Sequence, residues 1–494
     1  MQSPLILALD IGTSSTRAML FDATAQPVPN CVAQIPYQPQ TTGDGGVTFD
    51  AKELLNHVIA AIDQLLHLVG PLATQIGGVT SDTFVSNVLG VAANGEPVTP
   101  VYTYADTRNA PDAEALRTEL GATGIAAVHD RTGCLIHTSY LPARFRWLAR
   151  TQPDLLKQVT DWLSVGEYIY WQLFGQRAAS YSVASWTGLL NRRDLTWDET
   201  WLRALPVRAE QLSPLVNSDQ PFIGLQTQWA ERWPALKNVP WFPAIGDGAA
   251  ANLGSGCDNP RRVALTMGTT GAMRVVLDPS LPTLPSGLWL YRVDRNRGLL
   301  GGATTEGGNL FAWLRETLQL PPTKQVENEL VNRPPAAHGL TVLPFIAGER
   351  APGWNDKAKA SLVGFTLNTK PIDIVQAALE GIAYRFAIIF ERLHTYLATG
   401  GEFQIIANGA GLLSSPAWLQ IFADVLGQPI LTLTEKETTS RGIALLGLEQ
   451  LGVIQHTSAI APTTGLTYIP NAERHAIHRG ALERQKYFYG QLHS

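Results

Sequence analysis

Asp10 ends the apolar run Leu5-Ile6-Leu7-Ala8-Leu9 and is followed at once by Ile11-Gly12-Thr13-Ser14-Ser15-Thr16-Arg17. A carboxylate at a strand end can hold Mg²⁺ directly or through water, and the N–H and hydroxyl groups of such a turn can cradle a phosphate. An Asp before a Gly-Ser-Thr turn can equally be a turn cap. Asp247 stands in the glycine-bracketed stretch Ala244-Ile245-Gly246-Asp247-Gly248. There a carboxylate can take the proton of a hydroxyl that attacks phosphorus, or cap the helix that follows, and the two jobs are geometrically compatible. Asp106 and Arg108, two positions apart after Tyr102-Thr103-Tyr104, can line one side of an extended segment. Their carboxylate would accept from hydroxyls and their guanidinium would donate to hydroxyls or to a carboxylate; an ordinary surface ion pair is the plain alternative. His137 has no neighbour that marks it as a metal ligand and reads equally as a hydrogen-bonded loop histidine. The G-x-S-x-G elbow, HExxH and the Walker A pattern are all absent, so ATP would have to be held without a P-loop lysine.

The elements that must position these groups begin with a hairpin pattern, two apolar runs joined by a small polar turn. It has a second copy. Val263 to Asp278 repeats the first hairpin at a constant offset, Ala8 matching Ala264, Gly12 matching Gly268, Thr13 matching Thr269 and Asp22 matching Asp278. Each copy opens one half of the chain, which suggests duplicated domains approaching one polyphosphate from opposite sides. Asp10 is replaced by Thr266 in the second copy, so both turns would touch phosphate while only the first offers a metal carboxylate.

With 494 residues the chain exceeds what one core usually serves, and two large domains are expected. A hydrophobic content of 45% fits a globular protein, and a net charge of −5 gives no support for a nucleic-acid partner. The cysteines Cys31, Cys134 and Cys257 form no local pair and suit a reducing compartment. Neither a signal peptide nor an apolar run of roughly 18 residues is present, so no membrane partner and a cytoplasmic location are expected. Along the chain the patterns predict a helix over 48–68, a strand over 76–80, helical segments over 142–148 and around 162–173, and a helix from Asp194–Asp198 onward. A Pro-rich junction over 234–243, a long helix over 372–397, a strand and glycine turn over 403–416 and a small-residue helix over 439–448 follow. An apolar helix face could serve either a core or a homodimer.

Taken together these motifs resemble the FGGY carbohydrate kinases over nearly the whole chain. The resemblance implies an α/β fold of two duplicated ribonuclease-H-like domains, of actin/hexokinase type, with an interdomain cleft. It assigns 1–243 to a domain with sugar-binding elements, 244–450 to one with nucleotide-binding elements, and 451–494 to an extension packed on the kinase body. It implies ATP and Mg²⁺, with Asp10 at the metal and Asp247 as catalytic base. Thr13, Ser14, Ser15, Arg17, Gly268, Thr269 and Gly308 would serve the phosphates, and Gly411, Leu412 and Ser415 the adenosine. Ser86, Asn87, Asp106 and Arg108, with Asp247, would hold a small sugar, sugar acid or polyol. Within the family, Thr132–His137, Ser164–Ile169, Tyr181–Gly188, Leu195–Asp198 and Ala347–Trp354 look like the gluconokinases. Where many of those carry Met-His-Ser, this chain has Val85-Ser86-Asn87, which keeps xylulose, ribulose or another polyol open beside gluconate. A sugar or nucleotide sensor that retains the fold is the non-enzymatic alternative. Retention of both Asp10 and Asp247 favours an enzyme.

Overall fold

A computed structural model describes residues 2–397 and 403–493. The first sheet is built from β1 (Leu5–Ile11), β2 (Ser15–Phe21), β3 (Pro27–Pro36), β4 (Ile76–Thr83) and β5 (Ile245–Gly246), in the order β5-β4-β1-β2-β3. The second has seven strands: β6 (Arg262–Met267), β7 (Gly271–Leu277), β8 (Trp289–Arg292), β9 (Gly298–Thr304), β10 (Gln404–Asn408), β11 (Ile430–Leu433) and β12 (Thr464–Tyr468). Their order is β8-β9-β7-β6-β10-β11-β12. The helices that matter for the site are α1 (Ala51–Val69), α2 (Asp247–Gly254), α3 (Pro371–His394), α4 (Pro416–Leu426), α5 (Thr438–Gln450) and α6 (Ala472–Leu492).

The two copies of the hairpin are β1–β2 and β6–β7, each antiparallel and each beside a parallel neighbour, β4 and β10 respectively. β1 is apolar at every position but Asp10 because both faces of its sheet are covered. Leu5, Leu7 and Leu9 pack with α1, while Ile6 and Ala8 join the core formed with α2 and α5. α2 and α5 cross at glycines: a Cβ on Gly442 would stand 2.9 Å from the Gly254 nitrogen. That close approach ties the start of the second half to the face of the first sheet. Of the described residues only 51–75 are long and apolar enough to cross a membrane, and there Leu54, Val58, Ile62 and Leu65 are buried in the first core.

Several sequence expectations shift at their edges. The helix expected from Thr48 starts at Ala51, because the Asp50 carboxylate accepts the N–H groups of Lys52 and Glu53 at 2.8 and 2.9 Å and Val47–Phe49 is a short strand. The strand expected to stop at Thr80 continues to Thr83, pairing with β1 throughout. Trp162 lies in a strand, Asp161–Leu163, and the helix begins at Val165 behind a capping box from Ser164. Ile245–Gly246 pair with Asp82 and Thr83, so the first sheet reaches past the boundary expected at 243. Within 451–494, Thr464–Tyr468 adds the edge strand of the second sheet.

Candidate active site

Three carboxyl groups meet where strands of the first sheet end. Asp10 on β1 is the register partner of Asp82 on β4, Asp82 pairs in turn with Ile245 on β5, and Asp247 follows β5 directly as the first residue of α2. These are the carboxyl ends of parallel strands, where open α/β sheets bind their ligands. Asp82 is fully buried, and the one hydrogen-bonding group its carboxyl meets is the neighbouring Asp10 carboxyl. Burial, then the charges of Asp10 and Asp247, hold its carboxyl well above the ordinary range. Burial likewise pushes Asp10 up to about 6, with Arg17 pulling it down and Asp247 and Glu437 adding to the rise. Burial also raises Asp247, against the opposing pull of Arg274, the Gly248 N–H and Arg350. Asp247 is not the cap of α2; Gly246 holds that position, and the Asp247 carboxylate accepts the Gly248 N–H at 2.7 Å.

The two turns present open hydroxyls. Ser14 and Thr269 are exposed and Thr13 is half-buried. Ser15 is buried, and its hydroxyl accepts from the Gln34 side chain at 3.0 Å. Arg17 pairs with Glu437 at the head of α5, joining the first turn to the second half. Gly308 donates its N–H to the Gly268 carbonyl at 2.8 Å, and a Cβ on Gly411 would stand 3.1 Å from the carbonyl oxygens of Met267 and Gly268. Both glycines therefore let other segments close on the second turn. Leu412 is buried, and the Ser415 hydroxyl caps α4 and donates to Glu327 at 2.8 Å, so neither side chain is free for an adenosine.

On the acceptor side three of the expected residues are engaged with groups of the protein itself. The Ser86 hydroxyl donates to the Trp186 carbonyl at 2.6 Å. Asn87 donates to the Phe84 carbonyl at 2.5 Å and accepts the Val165 N–H at 2.8 Å. Both side chains hold the backbone of their own lobe because the chain turns there, Ser86 itself having φ +53°. Asp106 is fully buried, its carboxylate clasped by Arg108 at 2.5 Å and Arg144 at 3.1 Å. It is neither a surface pair nor a free acceptor; it anchors Arg108 and Arg144, which lie over the Trp147 ring at 4.9 and 5.0 Å.

Other groups, beyond the expected site residues, act on Asp247 or pack beside it. Arg274 on β7 and Arg350 both act electrostatically on it, and the Tyr104 hydroxyl lies in the field of Asp247 and Arg350. The Trp186 ring lies over the backbone at Gly246 and Gly248, 2.7 and 3.0 Å from where their Cβ atoms would be. Glu349, next to Arg350, points elsewhere and binds Arg385 and the Tyr489 hydroxyl. His137 is buried against Asp356 at 2.5 Å, which ties the first half to the loop after Arg350.

Asp10, with the buried Asp82 carboxyl behind it, fits a divalent cation that draws its remaining ligands from phosphate and water. Among the described residues no three His, Cys, Asp or Glu side chains converge to enclose a metal by themselves.

Residues 5–254 match the N-terminal domain, and residues 263–450 the C-terminal domain, of the FGGY family of carbohydrate kinases. The gluconokinase of Bacillus subtilis (strain 168) is 28% identical over 479 residues, covering 94% of this chain and 91% of its own. The crystal structure of gluconate kinase from Lactobacillus acidophilus superposes with a TM-score of 0.88 at 24% identity, over 99% of this chain and 98% of that one. The ligand-bound xylulose kinase of the same organism gives 0.88 at 25% identity, with 99% and 98% covered. With both family domains matched in order and a duplicated hairpin at the head of each, the chain belongs to the FGGY carbohydrate kinases.

Proposed function

We propose that this ATP-dependent sugar kinase phosphorylates the terminal hydroxyl of D-gluconate, giving 6-phospho-D-gluconate. The observation that carries the choice of sugar is the match to a gluconokinase across 94% of the chain. The Val85-Ser86-Asn87 departure does not weigh against it, since Ser86 and Asn87 are engaged with backbone groups of their own lobe. In this reading Asp247 accepts the proton of the attacking hydroxyl, as its place at the head of α2 and its raised affinity for protons allow. Arg274 and Arg350 oppose the rise that burial imposes on it. Thr13, Ser14 and Thr269, with the N–H groups of their turns, receive the phosphates, and the developing charge meets donors fixed in advance. Mg²⁺, held at Asp10 with Asp82 behind it, would neutralise phosphate charge. Gly308 and Gly411 let the adenosine segment close on the Gly268 turn. Arg17 and Glu437 join the lobes beside the cleft. The buried free cysteines suit a cytoplasmic location.

A xylulose kinase is the second reading, favoured by the equally good superposition on the Lactobacillus enzyme. The test is ATP-dependent phosphorylation of a panel of D-gluconate, xylulose, ribulose, glycerol and erythritol, read as kcat/KM with the product identified. A kcat/KM for gluconate at least tenfold above each of the others supports the proposal. Preference for a ketose or polyol replaces gluconate and leaves the kinase chemistry in place.

A further inference from the structure

Arg274 pulls on Asp247, but that pull leaves its hydrogen-bonding fork unexplained. Among the buried guanidinium groups, Arg292 and Arg441 donate to backbone carbonyls, while Arg144 meets Asp106, Arg385 meets Glu349, and Arg297 meets both Asp294 and Glu449. Arg274 has no such contact. Its recorded hydrogen bond is a long one, 3.4 Å from Nη1 to the Thr266 hydroxyl, and its Nε is buried without a partner. Its guanidinium carbon lies 3.4 Å from where a Cβ on Gly248 would be, hence against the first turn of α2 beside Asp247. A guanidinium carries five N–H donors in a planar fork, so most of this one's donors are unused.

Arg350 brings a second positive charge to the same place. It acts on Arg274, Asp247 and Tyr104, and its Nε too is buried without a partner. Two guanidiniums thus act electrostatically on one carboxylate. Burial is the main reason Arg274 is pushed down to about 10, and Arg350 adds to it against the pull of Asp247. Arg274 stays charged at neutral pH at a cost that a further anion would relieve. The free fork matches a carboxylate, which it can grip through two parallel hydrogen bonds.

We propose that Arg274, supported by Arg350, recognises a carboxylate on the acceptor, so that the site selects a sugar acid over neutral sugars and polyols of the same length. The proposal rests on reading this cleft as the acceptor site of the kinase. Trp186 packs beside it, its ring against the backbone of Gly246 and Gly248. The competing anion is the transferring phosphoryl group. A residue serving that group would be needed equally for every acceptor, whereas a carboxylate clamp is needed for the acid alone.

The test compares the wild type with Arg274→Met and Arg274→Lys. One arm measures kcat/KM with ATP for D-gluconate and for its neutral counterpart D-glucitol. The other measures D-gluconate binding by calorimetry in the absence of ATP. Loss of charged hydrogen bonds predicts that R274M weakens gluconate binding by about 10- to 100-fold. The gluconate-to-glucitol ratio of kcat/KM should fall at least tenfold, chiefly through the KM for gluconate, with R274K intermediate. Unchanged gluconate binding, or an equal loss for both acceptors, overturns the proposal. If the wild type phosphorylates neither acceptor, the kinase reading fails, yet the binding arm still decides the clamp. If R274M melts far below the wild type, R274K and Arg350→Gln are read in both arms in its place, against the same outcomes.

Discussion

Replacing Asp10 by Asn should make the folded chain more stable at pH 7.5 while it removes kinase activity. Burial lifts the Asp10 carboxyl from 3.8 to about 6 in spite of the opposing charge of Arg17. A carboxyl whose folded value lies above its unfolded one binds protons more tightly when folded. Its favourable contribution is therefore complete below about pH 4 and is lost as the pH rises through 6. Two pH units amount to about 3 kcal/mol at roughly 1.36 kcal/mol each, all of it destabilising at pH 7.5. Asn preserves the size of the side chain without the charge. D10N should then exceed the wild type by up to about 3 kcal/mol at pH 7.5 and by only about 1 kcal/mol at pH 4.5. Urea unfolding of both proteins at the two pH values reads this directly, and turnover of the same preparations checks that activity has gone. A D10N protein that is no more stable at pH 7.5, or a difference that does not shrink at pH 4.5, would refute the reasoning. It would mean that Asp10 is compensated in the folded state by something other than the groups described.

Two further predictions concern the same site. Ser86→Ala should lower stability by about 1 to 3 kcal/mol, the cost of leaving the buried Trp186 carbonyl without its donor. The KM for the sugar should move less than threefold, and a tenfold rise in KM would return Ser86 to the substrate contacts. The pH profile of kcat/KM should show an acidic limb that falls as the pH drops through about 6, because Asp10 is protonated there and Asp247, also raised, loses its capacity as a base. A profile flat from pH 7.5 to pH 5 would contradict both assignments.

What the sequence disclosed was the duplication and the groups it places. The constant offset between Gly12 and Gly268 holds because two equivalent hairpins are built on the same pair of apolar runs, and the structure pairs the two strands of each antiparallel. Asp10 and Asp247 were legible because a carboxylate beside a glycine turn at a strand end is a local pattern. Asp82 was not, since Ser-Asp-Thr after an apolar run looks like any loop entrance and only the register of β4 against β1 sets it opposite Asp10. Arg274 was hidden for a similar reason. A lone arginine in a strand gives no sign of which face it takes or what stands across the cleft. Ser86 and Asn87 differ again: their positions were legible, but the local backbone carbonyls to which their side chains donate were not. The edge of α1 moved for want of weight given to Asp50, whose carboxylate fixes the first turn.

The most direct measurement is single-turnover phosphoryl transfer from ATP to D-gluconate by the wild type and by Asp247→Asn. The account predicts transfer to the terminal hydroxyl by the wild type. It predicts a fall of at least about 10²-fold in D247N, the scale expected for losing a positioned base, with gluconate and nucleotide still bound and the melting temperature not lowered. Transfer by D247N within fivefold of the wild type would contradict the account at its centre.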